Sequence, residues 1–267
     1  MRQSTLRFAA HDVAIRSWSP AEPAANPLKL LCFPFSGGGS TAFKPLAAAL
    51  GPTWQVHAVN PPGHGLGAQL EPFDDVPKLV EHYLDCLPDD LLRDCVLLGY
   101  SLGGYVAHHM LLQLQARGRP LPRALVMCAV PPYERRARTY SDMSDDELFD
   151  GLTRLGGIPK GLGDARSAFS MFAHVVRADF RAYERCPLPD AQLDLPTLVI
   201  AGREDPIYRP EWLSEWTAFF KAPEGRSVPG PHIFVTEHSA ELAAELSAWR
   251  RTLPPTRGPD MPPPHTT

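Results

Sequence analysis

Short, nearly continuous apolar runs alternate along the chain with longer stretches whose apolar positions recur at helical spacing. The runs fall at residues 29–33, 54–59, 95–99, 124–129 and 197–201. Each is too short for a helix and lacks in/out alternation, the pattern of parallel strands covered on both faces. Between them, residues 75–87 carry Val76, Leu79, Val80, Tyr83, Leu84 and Leu87 on one helical face, and residues 103–116 and 209–220 read the same way. Residues 6–18 alternate well enough for an early strand or hairpin at a sheet edge. Alternating β and α segments predict a doubly wound α/β sheet, mostly parallel, with helices on both faces.

One stretch breaks the rhythm. No buried strand is evident between Val130 and Leu195. An acidic helical piece at 144–155 opens with Ser144 and Glu147 at capping-box spacing. A glycine-rich break at 156–163 follows, then a second helix at 165–183. The reading is a helical lid inserted at about 131–195 into one domain spanning 1–253. Six prolines fall in the last 14 residues, with almost no apolar side chains, so a disordered tail is expected over 254–267.

The chain has 267 residues, 44% hydrophobic and 21% charged, with a net charge of −4. That composition supplies a large core and no basic surplus to follow a phosphate backbone, so nucleic acid is a poor partner. No apolar run is long enough to span a membrane, and the N-terminus lacks the apolar centre of a secretory signal. The five cysteines are scattered, never in a C-x-x-C pair, and mostly in apolar runs. A reducing, cytoplasmic compartment, a monomer, and neither disulfides nor structural zinc are expected.

The chemical signal is Gly99-Tyr100-Ser101-Leu102-Gly103, between a strand and a helix. A serine on such a turn is lifted above the sheet edge, at a helix N-terminus. It needs a base, and the base needs an orienting acid, in the chain order Ser, acid, His. His108 and His109 lie two turns along the helix after the serine, His174 in the lid and His265 in the tail. His232 lies in a turn-rich loop before the last helix and is the favoured base, with His238 the alternative. The acid should follow the strand at 197–201. Asp205, held extended by Pro206, is favoured over Glu204. For an oxyanion hole, the Leu102 N–H follows the nucleophile. A second donor should come from the loop Phe33-Pro34-Phe35-Ser36-Gly37-Gly38-Gly39, with Ser36 preferred to Phe35. That loop also fits a loose G-x-G-x-x-A dinucleotide pattern, but the next strand ends at Asn60-Pro61-Pro62 with no acid, and no Walker lysine or metal cluster is present.

Together these pieces resemble the type II (external) thioesterases that accompany nonribosomal peptide and polyketide synthases, over about 28–253. The resemblance also includes Pro61-Pro62-Gly63-His64-Gly65, Leu155-Gly156-Gly157, Asp179-Phe180-Arg181-Ala182-Tyr183, Gly202-Arg203-Glu204-Asp205-Pro206 and His232-Ile233-Phe234. Two positions depart from it: Tyr100 stands where His usually precedes the serine, and Pro231 replaces a glycine before His232. The resemblance implies an α/β-hydrolase fold and a cofactor-independent Ser101–His232–Asp205 hydrolase. It also implies substrates that are acyl thioesters on the phosphopantetheine arm of carrier proteins. Leu152, Leu155, Phe169, Met171 and Phe172 would cover the acyl group, and Arg135, Arg136 and Arg138 are candidates to meet an acidic carrier helix. A general carboxylesterase would share the triad and is the alternative.

Overall fold

The computed structural model describes residues 1–8, 13–137, 139–158 and 165–254. The predicted edge segment is a hairpin, β1 (Arg2–Phe8) with β2 (Val13–Ser19). Then come β3 (Leu28–Phe33), helix α1 (Lys44–Ala49), β4 (Trp54–Asn60), α2 (Val76–Cys86) and the single turn α3 (Asp89–Leu92). Strand β5 (Val96–Tyr100) runs into α4 (Leu102–Ala116), and β6 (Ala124–Cys128) follows. Helices α5 (Asp145–Arg154), α6 (Ala165–Ser170) and α7 (Ala173–Arg185) fill the connection to β7 (Thr197–Gly202). The chain closes with β8 (Pro223–Val228) and α8 (Ser239–Arg250).

The eight strands form one sheet in the order β1-β2-β4-β3-β5-β6-β7-β8. The six from β3 onward are parallel, and the hairpin adds the antiparallel edge. Residues alternate between the faces of each strand. Leu31, Phe33, Leu97 and Met127 pack under α2 and α4. Their neighbours Leu30, Cys32, Leu98 and Val126 pack with α1 and α8 on the opposite face. Burial on both sides is why the central strands read as unbroken apolar runs. This is the arrangement of an α/β-hydrolase fold.

Two expectations need correction, and one strand was not anticipated. Residues 209–220 were expected to form an α-helix. They form a 3-10 helix, Pro210–Ala218, that places Trp216 in the core at the tighter i, i+3 repeat. Strand β8 carries no apolar signal because it is an edge strand with Glu224 and Arg226 facing solvent. The helix expected at 165–183 is two helices, broken at Met171–Phe172. The break lets Phe169 meet the Phe149 ring at 5.5 Å while α7 takes its own direction. The capping box at Ser144 and Glu147 is formed. The glycine-rich break lies partly, and the proline-rich tail after Pro254 wholly, outside the described residues. All five cysteines are buried, and none is joined in a disulfide. Among the described residues no helix is long and apolar enough to cross a membrane.

Candidate active site

Ser101 sits between β5 and α4 with φ 50° and ψ −114°, a left-handed conformation unfavourable for a residue with a Cβ. Packing holds it there. A Cβ on Gly99 would lie 2.3 Å from the Gly103 carbonyl oxygen, and one on Gly103 would lie 2.1 Å from that of Phe33. Only glycine lets β5, α4 and the end of β3 approach this closely. The Ser101 N–H donates to the Cys128 carbonyl of β6 (2.9 Å), and the Ser101 carbonyl accepts from Gly104 N–H (2.9 Å).

The structure brings the three predicted side chains together. His232 Nε2 is 3.1 Å from Ser101 Oγ. His232 Nδ1 is 2.9 Å from Asp205 Oδ2, and both side chains are almost wholly buried. A carboxylate only accepts, so Nδ1 carries the proton and Nε2 is free to take one from the serine. Asp205 is fixed in turn, because its Oδ1 accepts the Ile207 N–H at 2.8 Å and the Tyr208 N–H at 3.2 Å. Glu204, the alternative acid, turns away from the imidazole. Its carboxylate accepts the Gly230 N–H at 2.5 Å and so braces the histidine loop. His238, the alternative base, caps α8 and lies 3.6 Å from Glu241.

The two departures noted in the sequence both bear on this loop, Tyr100 from the end of β5 and Pro231 within it. The Tyr100 hydroxyl donates to the His232 carbonyl at 2.6 Å and accepts the Phe234 N–H at 2.8 Å. A Tyr at 100 thus pins the backbone on both sides of Ile233. Pro231 packs on the insertion, where a Cβ on Gly156 would lie 3.3 Å from its Cγ. The Ile233 N–H donates to the Leu155 carbonyl at 3.0 Å. Sequence reading missed the anchoring role of Tyr100; its place next to the serine, at the buried end of β5, was the available signal.

A cleft with about 330 Å³ of empty space opens over Ser101. Ser36 and His232 line it, together with Leu152, Leu155, Phe180 and Tyr183 of the insertion. Met171 and Phe172 do not join them; they are 66% and 56% exposed. Phe169 packs on Phe149. His108 and His109 are buried within the core. The His108 Nδ1 is 2.9 Å from the Tyr133 hydroxyl, and burial beside His109 pushes its pKa down to about 3, so it remains neutral. His109 Nε2 lies 3.2 Å from the Pro187 carbonyl. Arg136 is not a surface cation. It is buried and donates to the Tyr133 carbonyl (2.8 Å) and the Tyr183 carbonyl (2.6 Å). Arg135 is exposed and paired with Glu215 at 2.9 Å; Arg138 lies outside the described residues. Among the described residues no group of His, Cys, Asp and Glu is placed to hold a metal ion.

A strained serine, a histidine with the correct free nitrogen and a buried aspartate can perform acyl transfer. The comparisons with known proteins agree. The thioesterase domain model matches residues 28–249. The chain belongs to the thioesterase family. It is a thioester hydrolase. A thioesterase from the prodiginine biosynthetic pathway of Streptomyces coelicolor, RedJ, is 33% identical and superposes with a TM-score of 0.79 over 86% of this chain and 90% of its own. BorB, a type II thioesterase from the borrelidin cluster, is 26% identical with a TM-score of 0.76 over 88% and 96%. A probable cadicidin biosynthesis thioesterase of Streptomyces griseus is 27% identical over 92% of this chain and 69% of its own.

Proposed function

We propose that this thioesterase is a type II enzyme of nonribosomal peptide or polyketide biosynthesis. It hydrolyses acyl groups from the phosphopantetheine arm of carrier proteins and so clears stalled or wrongly primed chains. The observation that carries the reading is the assembled relay Ser101–His232–Asp205, with spacings of 3.1 and 2.9 Å, at a narrow apolar cleft. Relatives named for antibiotic and siderophore biosynthesis support the pathway class.

In the proposed mechanism, Ser101 Oγ attacks the thioester carbonyl carbon as its proton passes to His232 Nε2. The carbonyl π pair moves to oxygen, and the Leu102 and Ser36 N–H groups hold that oxyanion. Each such donor is worth about 2.7–4 kcal/mol of barrier. The tetrahedral intermediate collapses, the C–S bond breaks, and His232 returns the proton to the leaving thiolate. Water then attacks the acyl-serine, His232 takes its proton and passes it to Ser101 Oγ, and the free acid departs. Asp205 holds the imidazole in the required tautomer and stabilises its cation. Residues 131–195 act as the lid, with Leu152 and Leu155 against the acyl chain. No resident cofactor is required, and the carrier protein is the partner.

The test compares acetyl- and longer acyl-phosphopantetheinyl carrier proteins with the matching oxygen esters, using wild type and Ser101→Ala. Preferential turnover of the carrier-bound thioester, abolished by the substitution, supports the reading. Equal turnover of free oxygen esters would make the protein a general esterase.

A further inference from the structure

Two sequence pieces have no part in the relay: Pro61-Pro62-Gly63-His64-Gly65 after β4, and Asp179-Phe180-Arg181-Ala182-Tyr183 on α7. They meet at one carboxylate. Asp179 is 6% exposed, and its Oδ2 accepts the Gly37 N–H at 2.7 Å. The same oxygen lies 3.0 Å from His64 Nε2. The other ring nitrogen of His64, Nδ1, is 3.1 Å from the Pro62 carbonyl oxygen. A carbonyl only accepts, so Nδ1 carries a proton, and the Asp179 carboxylate beside Nε2 favours the protonated ring. Burial pulls the His64 pKa down, but the Asp179 charge and hydrogen bond, with the Pro62 and Pro61 carbonyls, lift it above its ordinary value.

Helix α7 is seated on the same two turns by its apolar side chains. A Cβ on Gly37 would lie 3.2 Å from Val176 Cγ2, and one on Gly63 would lie 3.0 Å from Val175 Cγ1. Val176 and Asp179 stand three residues apart on one helix face. Both peptides flanking Ser36 are therefore held. The Phe35 carbonyl accepts the Gly38 N–H at 2.8 Å, and the Gly37 N–H is taken by Asp179. In a trans peptide the C=O and N–H point in opposite directions, so fixing the Phe35 carbonyl fixes the Ser36 N–H.

We propose that Asp179, held by His64, is a positioning residue that sets the oxyanion loop from the insertion helix, so that a seated α7 and a formed oxyanion hole are one state. The role rests on the Ser36 N–H being an oxyanion donor. Asp179 touches no reacting atom and acts only through Gly37.

The experiment uses the full chain and two readouts: kcat and KM on an acyl thioester, and affinity for a trifluoromethyl ketone analogue. Addition of Ser101 Oγ to that ketone places an oxyanion in the hole. Circular dichroism checks folding. Asp179→Ala is expected to lower kcat about 10–100-fold with KM within twofold, a partial loss of one oxyanion donor. Affinity for the ketone should fall by a similar factor, while affinity for a non-hydrolysable thioether stays unchanged. Asp179→Asn keeps an acceptor for the Gly37 N–H and should recover most of both losses, which also serves if the alanine variant fails to fold. An Asp179→Ala protein that is folded and within twofold of wild type on both readouts overturns the proposal. So does a loss confined to KM, or an Asn variant no better than a folded Ala variant. A separate arm replaces the Phe35–Ser36 amide by an ester, which deletes the Ser36 N–H and weakens the Phe35 carbonyl as acceptor, with the Ser36–Gly37 ester as the control. If the Phe35–Ser36 ester leaves kcat and ketone affinity unchanged, the oxyanion reading itself fails and the proposal with it. If it lowers both while Asp179→Ala does not, only the role of Asp179 is lost.

Discussion

The turn that carries Ser101 and the helical insertion beside it are built on opposite principles. The turn is made of strand ends and glycines packed backbone to backbone, with contacts that admit no Cβ at Gly99 or Gly103. The insertion is three short helices whose outer faces are exposed ion pairs, such as Arg166 with Asp146 and Asp150. Exposed pairs of this kind contribute little to stability. The insertion meets the site through side chains instead: Leu152, Leu155, Phe180 and Tyr183 line the cleft and Asp179 binds the loop after β3, while the Leu155 carbonyl binds the histidine loop. Backbone contacts that admit no Cβ set the turn, whereas buried side chains such as Leu148, Val176 and Phe180 seat the insertion on the core.

The largest effects should come from the relay and its turn. Asp205→Asn would leave the fold intact but favour the wrong tautomer of His232. A kcat about 10³–10⁴-fold lower is expected. A variant with near-native turnover would remove Asp205 from the relay and reopen the case for Glu204. Paired glycine substitutions sharpen the contrast. Gly103→Ala forces a Cβ onto the Phe33 carbonyl, and a loss on the order of 3–5 kcal/mol or failure to fold should appear in urea melts. Gly156→Ala, at φ 81° but with no atom nearer its Cβ than Pro231 Cγ at 3.3 Å, should cost about 1–2 kcal/mol. Equal costs would erase the distinction between the two regions.

A smaller effect is expected at Tyr100. Tyr100→Phe leaves the His232 carbonyl and the Phe234 N–H without their partner, at about 1–3 kcal/mol for each buried group. Part of that cost should appear as a roughly tenfold lower kcat with KM unchanged. A loss of stability alone would make the hydroxyl a purely structural anchor.

The weakest effect is on pH. His57 on β4 and His108 on α4 are buried, and desolvation lowers their pKa values to about 4 and about 3. Below roughly pH 6.5 the unfolded chain takes up protons that these two cannot, so stability falls with pH, by at most about 1.4 kcal/mol per unit for each. His64 has the opposite sign. Its raised pKa makes its stabilisation complete in acid and lost as pH rises through the folded value. Urea melts between pH 7 and 5 should show the fall, and His108→Gln should flatten it. A profile unchanged in that variant would contradict the assignment.

The same contrast explains what could be read in advance. The relay was legible because each member sits on a short apolar strand end or beside a glycine or proline turn, where local sequence dictates geometry. Chain order narrowed the choice, and Pro206 after Asp205 and the turn-rich loop around His232 separated them from Glu204 and His238. Strand β8 was not legible, because an edge strand of sequence Pro-Glu-Gly-Arg-Ser-Val shows no apolar face; its partner β7 specifies it. The break at Met171–Phe172 was hidden by a continuous helical pattern. The burial of Arg136 was hidden too, since its two carbonyl acceptors come from Tyr133 and, 47 residues away, Tyr183. The role of Tyr100 depends on a contact 132 residues distant. Long-range contacts of this kind leave no local periodicity.

The central claim is that Ser101 carries the acyl group. The most direct measurement mixes the protein with an acyl-phosphopantetheinyl carrier protein, quenches within the first turnover and maps the adduct by peptide mass spectrometry, alongside steady-state rates for Ser101→Ala. The account predicts an acyl-ester adduct confined to Ser101 and a rate lower by about 10⁴–10⁶-fold in the variant. An adduct on another residue, or turnover that survives the loss of the Ser101 hydroxyl, would contradict it.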